Sequence, residues 1–159
     1  MKITFHNTLD IEETMCFEEL FEPELRLEAD EKRIIINHGY VVWMKVDGWL
    51  AGETYGITPS ELFRKTGDRV PDTDPADVLS VYCYTTSILP RYQGLRLAPI
   101  LMAYFQGYLR TLLRKKLIGH ATSGKMHSLR EMFGAHFTGS VHENWCGSKR
   151  VAEYYEQTI

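Results

Sequence analysis

The chain has 159 residues, of which 44% are hydrophobic and 25% are charged, and its formal net charge is −3. These values are typical of one soluble globular domain, and the calculated pI of 6.1 argues against a basic nucleic-acid-binding protein. The longest apolar run, residues 97–105, is shorter than the roughly 20 residues of a membrane helix, and the N-terminus lacks the apolar core of a signal peptide. We therefore expect a single domain over residues 1–159, located in the cytoplasm and without a membrane partner.

The first third of the chain predicts a helical N-terminal segment followed by a β-hairpin. Residues 12–31 carry nine acidic side chains against Arg26 as the only cation. Residues 34–46 and 49–57 are β-branched and aromatic runs, and Asp47-Gly48 between them is a strong hairpin signal. Residues 58–77 are polar and rich in proline, which predicts a loop with one helical turn at residues 61–65.

The remainder of the chain alternates strand and helix patterns. A strand is predicted up to Pro90, then an amphipathic helix over residues 97–113, a strand over 117–122 and a second helix over 124–133. This order predicts two parallel strands joined by a helical crossover. Residues 141–145 and 151–159 predict a closing hairpin with Gly147 at its bend.

The junction between the strand and the first of these helices predicts a phosphate site. A strand that passes into a helix through a glycine turn leaves the first backbone N–H groups of the helix unpaired, with the positive end of the helix dipole behind them. The charge distribution also favours an anion site, because residues 78–130 contain no Asp or Glu but eight Lys or Arg side chains.

The turn itself, Pro90-Arg91-Tyr92-Gln93-Gly94-Leu95-Arg96-Leu97-Ala98, resembles the pyrophosphate loop of the GNAT (GCN5-related) N-acetyltransferases. In that family a Gln/Arg-x-x-Gly-x-Gly/Ala signature follows the central strand, and Gln93 and Ala98 match its ends. Arg96 stands where the family usually has its inner glycine. The order of predicted elements also resembles the family over essentially the whole chain. The resemblance implies an α/β (α+β) fold of one domain, with a central mixed, twisted sheet of six to seven strands flanked by helices.

The resemblance implies acetyl-CoA as co-substrate, no metal cofactor, and direct attack of an amine on the thioester. The family's acyl chain lies where the central strand bulges and splays from its parallel neighbour, which places residues 84–87 at the bulge. One backbone N–H, of Ile88 or Leu89, then polarises the acetyl carbonyl. The implied cofactor-binding residues follow the signature and the nearby cations: Ile88, Leu89, Arg91, Gln93, Gly94, Leu95, Arg96, Leu97, Ala98 and Lys125.

The residues that would transfer protons during catalysis do not follow from a motif as the cofactor-binding residues do. Glu53 on the hairpin, Tyr84 on the central strand and His120 on the next strand are candidate bases, although a core histidine and a solvated strand glutamate are the simpler explanations of His120 and Glu53. The family's usual thiolate acid, a tyrosine on the last helix, is replaced by Met132, and Ser128, Ser123, His127 or water are possible substitutes.

Two functional classes therefore stay open at the level of sequence. One is an N-acetyltransferase acting on an amine of a small molecule or a protein, for which an acidic N-terminal segment (Glu18, Glu19, Glu22 and Glu24) would favour a cationic acceptor. The other is a GNAT-like binding or structural protein, similar to phage-related relatives, that has lost turnover. The scattered histidines and three cysteines predict no metal site and reduced thiols. The aromatic final strand, with Tyr154 and Tyr155, could pair across a homodimer, although aromatic terminal strands are as often simply part of the sheet.

Overall fold

The computed structural model describes residues 1–159, which form one mixed seven-stranded sheet with five α-helices around it. The strand order is β1-β2-β3-β4-β5-β7-β6. The strands are β1 (Ile3–His6), β2 (Tyr40–Val46), β3 (Trp49–Ile57), β4 (Ser80–Ile88), β5 (Lys116–Ala121), β6 (His136–His142) and β7 (Ala152–Thr158). The helices are α1 (Ile11–Thr14), α2 (Ala29–His38), α3 (Pro59–Thr66), α4 (Leu97–Thr111) and α5 (Gly124–Met132). No helix is both long enough and apolar enough to cross a bilayer.

The predicted β2–β3 hairpin is confirmed, but its first strand is shorter than expected. Asp47 and Gly48 have φ angles of 50° and 87°, as a two-residue hairpin turn requires. Residues 34–38 are helical, because Lys32 and Ile35 at three-residue spacing bury one face of α2. Tertiary packing here overrides the β-propensity of three successive isoleucines.

Two terminal strands differ from the sequence prediction. β1 pairs antiparallel with β2 at the sheet edge, where a helical N-terminus was expected. The closing hairpin starts at His136, earlier than predicted, and residues 145–147 form a 3-10 turn. β7 lies between β5 and β6, and Tyr154 and Tyr155 are buried within the chain. These two tyrosines therefore offer no surface to a second copy.

The sheet separates two cores. α4 covers one face over Val42, Met44, Val81 and Cys83, and α2 and α3 cover the other face around a second core. That second core comprises Ile35, Val41, Trp43, Tyr55, Ile57 and Leu62. Alternate residues of β2 point into different cores, as the two-residue period of a strand requires.

The middle of the sheet opens at a predicted position. The β3–β4 register passes from Gly56↔Cys83 to Tyr55↔Thr85, so Tyr84 is an extra residue in β4 and forms the expected bulge. β4 and β5 pair in parallel only from Ser80 to Tyr82 on β4. Beyond these residues the two strands separate, which leaves an opening that leads toward the start of α4.

Candidate functional site

The turn before α4 presents unpaired backbone donors. Arg96 is the N-cap residue, in the left-handed region with φ 55° and ψ 34°, and its side chain does not cap the helix. The backbone N–H groups of Gly94, Leu95 and Arg96 donate no hydrogen bond within the protein. The first N–H groups of α4 also lack intrahelical partners, and the helix dipole adds positive potential at the same point. The arrangement suits a phosphate or pyrophosphate group.

These donors face a cleft of about 770 Å³, which is large enough for an extended cofactor. Its lining comes from the end of β4, the turn, the start of α4, one side of α5 and Leu20. No acidic side chain lines it, and the lining contains the cations Arg96 and Lys125. The lining residues are Leu20, Thr86, Ser87, Ile88, Tyr92, Gln93, Gly94, Arg96, Leu97, Ala98, Pro99, Ser123, Gly124, Lys125, Met126, Ser128, Leu129 and Met132.

Most of the expected cofactor-binding residues come together here, namely Ile88, Gln93, Gly94, Arg96, Leu97, Ala98 and Lys125. Leu89, Arg91 and Leu95 do not line the cleft. The Arg91 guanidinium donates to the Leu50 carbonyl at 3.4 Å and lies over the Tyr92 ring, so it points to the hairpin. The Leu95 side chain is half exposed, and only its backbone N–H belongs to the turn.

The two backbone N–H groups expected to polarise the acetyl carbonyl, those of Ile88 and Leu89, point to opposite sides at the end of β4. Leu89 N–H donates to the Ala51 carbonyl at 2.9 Å, so it is not available, and that part of the expectation is wrong. Because successive strand N–H groups point to opposite sides, the N–H of Ile88 points away from β3, toward the opening. Gln93 Nε2 donates to the Ile88 carbonyl at 3.0 Å and fixes the turn to the strand.

Solved structures share this architecture over their full length. The ribosomal-protein-alanine N-acetyltransferase of Brucella melitensis superposes with a TM-score of 0.73, at 11% sequence identity and with 100% of both chains covered. The chain has the GNAT fold. Arabidopsis thaliana NAA60 in complex with a bisubstrate analogue (TM-score 0.73, 13% identity, 99% and 98% coverage) also has it. So does an aminoglycoside 6'-N-acetyltransferase complexed with coenzyme A (TM-score 0.71, 10% identity, 99% and 97% coverage). No family model matches the sequence, and no curated protein matches it either.

Met132, which the resemblance places at the position of the family's usual tyrosine acid, is 67% exposed and lines the cleft. Ser128 is exposed on the same wall. Behind this wall Arg130 is buried, and its guanidinium donates to Thr86 Oγ1 at 3.2 Å and Cys83 Sγ at 3.3 Å. Arg130 has no carboxylate partner, so its charge raises the potential beneath Thr86 at the inner end of the cleft.

The three candidate bases lie outside the cleft. Glu53 is fully buried, and its oxygens bind Lys32 Nζ at 2.8 Å and Trp43 Nε1 at 3.0 Å. Burial raises the pKa of Glu53 to about 7, against the opposing effects of Lys32 and Trp43. Tyr84 packs against the core that α2 and α3 cover, and His120 lies beside Tyr82 on the same side, away from the cleft. Burial also raises the pKa of the Tyr84 phenol, which favours a proton donor over a base.

Glu18 does not lie with the other carboxylates of the acidic N-terminal segment. It is buried, with Lys32 Nζ at 3.2 Å, and it accepts from the Tyr55 hydroxyl at 3.1 Å and the Leu27 N–H at 2.9 Å. Glu18 therefore belongs to the interior network around Lys32 and does not face an acceptor.

Sequence reasoning identified part of the second wall of the cleft, namely Ser123, Lys125, Ser128 and Met132, but not Gly124, Met126 and Leu129. Ser123 caps α5 by accepting from the Met126 N–H at 3.3 Å, and Ser123 and Gly124 line the cleft together. Gly124 follows β5, so the rule that ligands bind beyond the carboxyl ends of parallel strands would have identified it. Leu20 comes from a distant segment, and no local signal connects it to this site.

Proposed function

We propose that the protein is an acyl-CoA-dependent N-acyltransferase that, in the simplest case, transfers acetyl from acetyl-CoA to an amine. The unpaired N–H groups of Gly94, Leu95 and Arg96 at the mouth of the 770 Å³ cleft carry this proposal. The GNAT fold supports it, since two structural neighbours hold coenzyme A or a bisubstrate analogue. No step of the proposed reaction requires a metal.

We propose which part of the chain holds each part of the cofactor. The turn from Gly94 to Ala98 holds the pyrophosphate through backbone N–H groups, and the cations Arg96 and Lys125 neutralise phosphate charge. The pantetheine arm extends along Thr86 and Ile88 into the opening between β4 and β5. The acyl carbonyl accepts a hydrogen bond from the Ile88 N–H, which polarises it toward attack.

The reaction forms a C–N bond and breaks the thioester C–S bond. The neutral amine attacks the carbonyl carbon, the ammonium proton passes to solvent or a base, and the leaving thiolate takes up a proton. Ser128 is one of the possible proton donors named from the sequence, and its side chain lines the cleft. We propose that its hydroxyl relays a proton to the thiolate. The buried charge of Arg130 favours the thiolate before it is protonated.

The acceptor belongs to the class of primary amines, on a small molecule or on a protein. Glu19, Glu22 and Glu24 lie around the 3-10 turns that precede α2, in the same segment as cleft-lining Leu20, and each is exposed. We propose that Glu19 and Glu24 attract a cationic amine, whereas Glu22 already pairs with Arg150 at 3.1 Å. Preference for anionic acceptors in a substrate panel would contradict this assignment.

One observation favours a second candidate, a GNAT-fold protein that binds acyl-CoA without turnover. Met132 places a thioether where the family's usual acid has a phenol, and it projects into the cleft. A thioether cannot donate a proton, so thiolate release would depend on the other groups.

Calorimetric titration with acetyl-CoA tests the cleft, with two glycine variants as a matched pair. Gly94 (φ 85°) and Gly67 (φ 78°) both have positive φ, and an added Cβ meets nothing within 4 Å at either site. Gly94→Ala therefore strains the phosphate turn and should weaken binding about tenfold, whereas Gly67→Ala, at the end of α3, imposes a similar backbone cost and should not.

Thiol release in the presence of an amine panel then separates the two candidates. Binding with thiol release above the hydrolysis background supports the transferase, and binding without release supports the silent protein. If acetyl-CoA does not bind, or if both glycine variants weaken it equally, the cleft does not hold the cofactor as proposed.

A further inference from the structure

Three side chains with metal-binding atoms meet on the face of the sheet opposite the cofactor cleft. Asp72 comes from the α3–β4 loop, His120 from β5 and His142 from β6, and their ligand atoms all lie within 4.8 Å of one another. His120 Nε2 lies 3.0 Å and His142 Nε2 lies 2.6 Å from the same oxygen, Asp72 Oδ2. The two histidines are 48 and 70 residues from Asp72 in sequence, which is why no metal-ligand spacing is visible there.

Surrounding groups fix the orientation of these ligands. The Tyr82 hydroxyl lies 2.9 Å from His120 Nδ1, and Ser140 Oγ donates to Asp72 Oδ1 at 2.8 Å. The Trp145 ring stacks on the His120 ring with centroids 4.2 Å apart. Metal-binding histidines usually have their second ring nitrogen held in this way, and metal-binding carboxylates are themselves hydrogen-bonded.

The cluster is buried on the His120 side and open to solvent on the other side. The side chain of His120 is 1% exposed, whereas those of Asp72 and His142 are 23% and 34% exposed. An ion held by these three atoms would reach solvent on the Asp72 and His142 side. Three protein ligands and one open position are the arrangement of a zinc site that keeps a water molecule.

The Tyr82 contact accommodates coordination as well as the present hydrogen bonds. A carboxylate only accepts, so the His120 Nε2–H donates to Asp72 and Nδ1 accepts from the Tyr82 hydroxyl. Coordination through Nε2 moves that proton to Nδ1, which then donates to the Tyr82 oxygen. A hydroxyl can serve in either role, so no buried polar atom of His120 or Tyr82 loses its partner.

We propose that Asp72, His120 and His142 form a binding site for a divalent transition-metal ion, with zinc as the ion that two imidazoles and one carboxylate fit best. The ion would join the α3–β4 loop to β5 and β6. In a tetrahedral zinc site, bonds of about 2.0–2.2 Å place ligand atoms about 3.4 Å apart. The two histidine nitrogens lie 3.0 and 2.6 Å from Asp72 Oδ2, somewhat closer than that, and all three atoms lie within 4.8 Å of one another, so a small outward movement of Asp72 would admit the ion. The site lies apart from the cofactor cleft and does not depend on acyl transfer.

Zinc titration of the chelator-treated full chain tests the proposal. We expect one zinc ion per chain by calorimetry, and an increase in the thermal transition temperature on zinc addition, because the ion binds the folded chain preferentially. Cobalt should replace zinc and give the intense visible absorption of a tetrahedral or five-coordinate site. Asp72→Asn preserves the shape of a loop side chain and should weaken zinc binding on the order of 100-fold, and Tyr82→Phe should weaken it about 10- to 100-fold.

His136→Ala is the matched control, because His136 is an exposed histidine on the same strand as His142 and lies outside the cluster. It should bind zinc like the unchanged protein. The proposal is overturned if the unchanged protein shows no saturable zinc binding, or if Asp72→Asn and His142→Ala bind zinc as tightly as it does. Equal loss of binding in His136→Ala would also overturn it, by placing the metal elsewhere.

Discussion

Lys32 and Arg130 are both buried cations, one on each face of the sheet, and they differ in what surrounds them. Lys32 Nζ contacts Glu53 at 2.8 Å, Glu18 at 3.2 Å and the Thr14 carbonyl at 3.3 Å. Arg130 donates only to uncharged groups, namely Thr86 Oγ1, Cys83 Sγ and Met102 Sδ, and its Nε has no partner. The first cation belongs to a closed ionic network, and the second has no counter-charge.

This difference separates a structural role from a functional one. Burying a charge costs several kcal/mol in lost hydration. Paired carboxylates largely offset this cost, whereas neutral hydrogen-bond acceptors offset only part of it. Lys32 therefore ties α2 and the N-terminal segment to β3. Arg130 instead keeps an uncompensated positive charge beneath a cleft that we propose for an anionic cofactor and a thiolate leaving group.

The largest expected effect comes from removing the paired cation. Lys32→Met leaves Glu18 and Glu53 buried without their cation, so the free energy of unfolding should fall by about 3–5 kcal/mol. Urea denaturation measures this loss. The control is Arg33→Met on the same helix, because the Arg33–Glu12 pair is exposed (51% and 67%) and should contribute less than about 1 kcal/mol. Equal effects of the two substitutions would show that the Lys32 network does not hold α2 in place.

The same network predicts a pH dependence of stability. Burial raises the pKa of Glu53 from its ordinary 4.5 to about 7, so the folded protein binds this proton more tightly than the unfolded chain does. The resulting stabilisation is complete below the unfolded pKa and is lost as the pH rises through the folded one. We expect the free energy of unfolding to decline on the order of 1–3 kcal/mol between about pH 5 and about pH 8.

Glu53→Gln should flatten that decline, and Glu12→Gln, at an exposed position, should leave it unchanged. Urea denaturation of the unchanged protein and the two variants across this pH range provides the measurement. If the Glu53→Gln variant keeps the full slope, another group is responsible for it.

The surroundings of the two cations also show what the sequence could predict. The parallel β4–β5 pair and the turn before α4 follow from local pattern and chain order, whereas the β4 bulge follows from the resemblance to the GNAT family, and the structure confirms all three. The Lys32 network joins residues 18, 32 and 53, and the Asp72–His120–His142 cluster joins three distant segments. Neither has a local signature, since each depends on which strand faces become neighbours. Glu53 in particular looked like a solvated strand residue, because alternation alone does not tell which face is covered.

Arg130→Met tests the unpaired cation. A methionine of similar volume removes a charge whose hydration loss is poorly compensated, so stability should change by less than about 1 kcal/mol or increase. Turnover of acetyl-CoA should fall about tenfold, because the leaving thiolate loses a nearby positive charge. Arg110→Met, on the exposed side of α4, should alter neither quantity. A loss of stability as large as that of Lys32→Met would make Arg130 a structural residue.

The smallest expected effect concerns Arg96, where backbone and charge act in opposite directions. Its φ of 55° costs a non-glycine residue about 1 kcal/mol, so Arg96→Gly should stabilise the fold by up to that amount while it removes a cation from the cleft. Leu113, with φ 59° and 73% exposure beyond the end of α4, offers the same backbone gain without the charge. Thermal unfolding should show similar gains in stability for Arg96→Gly and Leu113→Gly. Acetyl-CoA affinity should fall about threefold to tenfold only in Arg96→Gly, and this loss should be smaller at high salt, because salt screens the interaction between the side chain and the phosphates.

Unchanged affinity in Arg96→Gly would mean that the backbone N–H groups bind the phosphates without help from the side chain. Tighter binding would mean that Arg96 obstructs the cofactor and that glycine is the better residue for this turn.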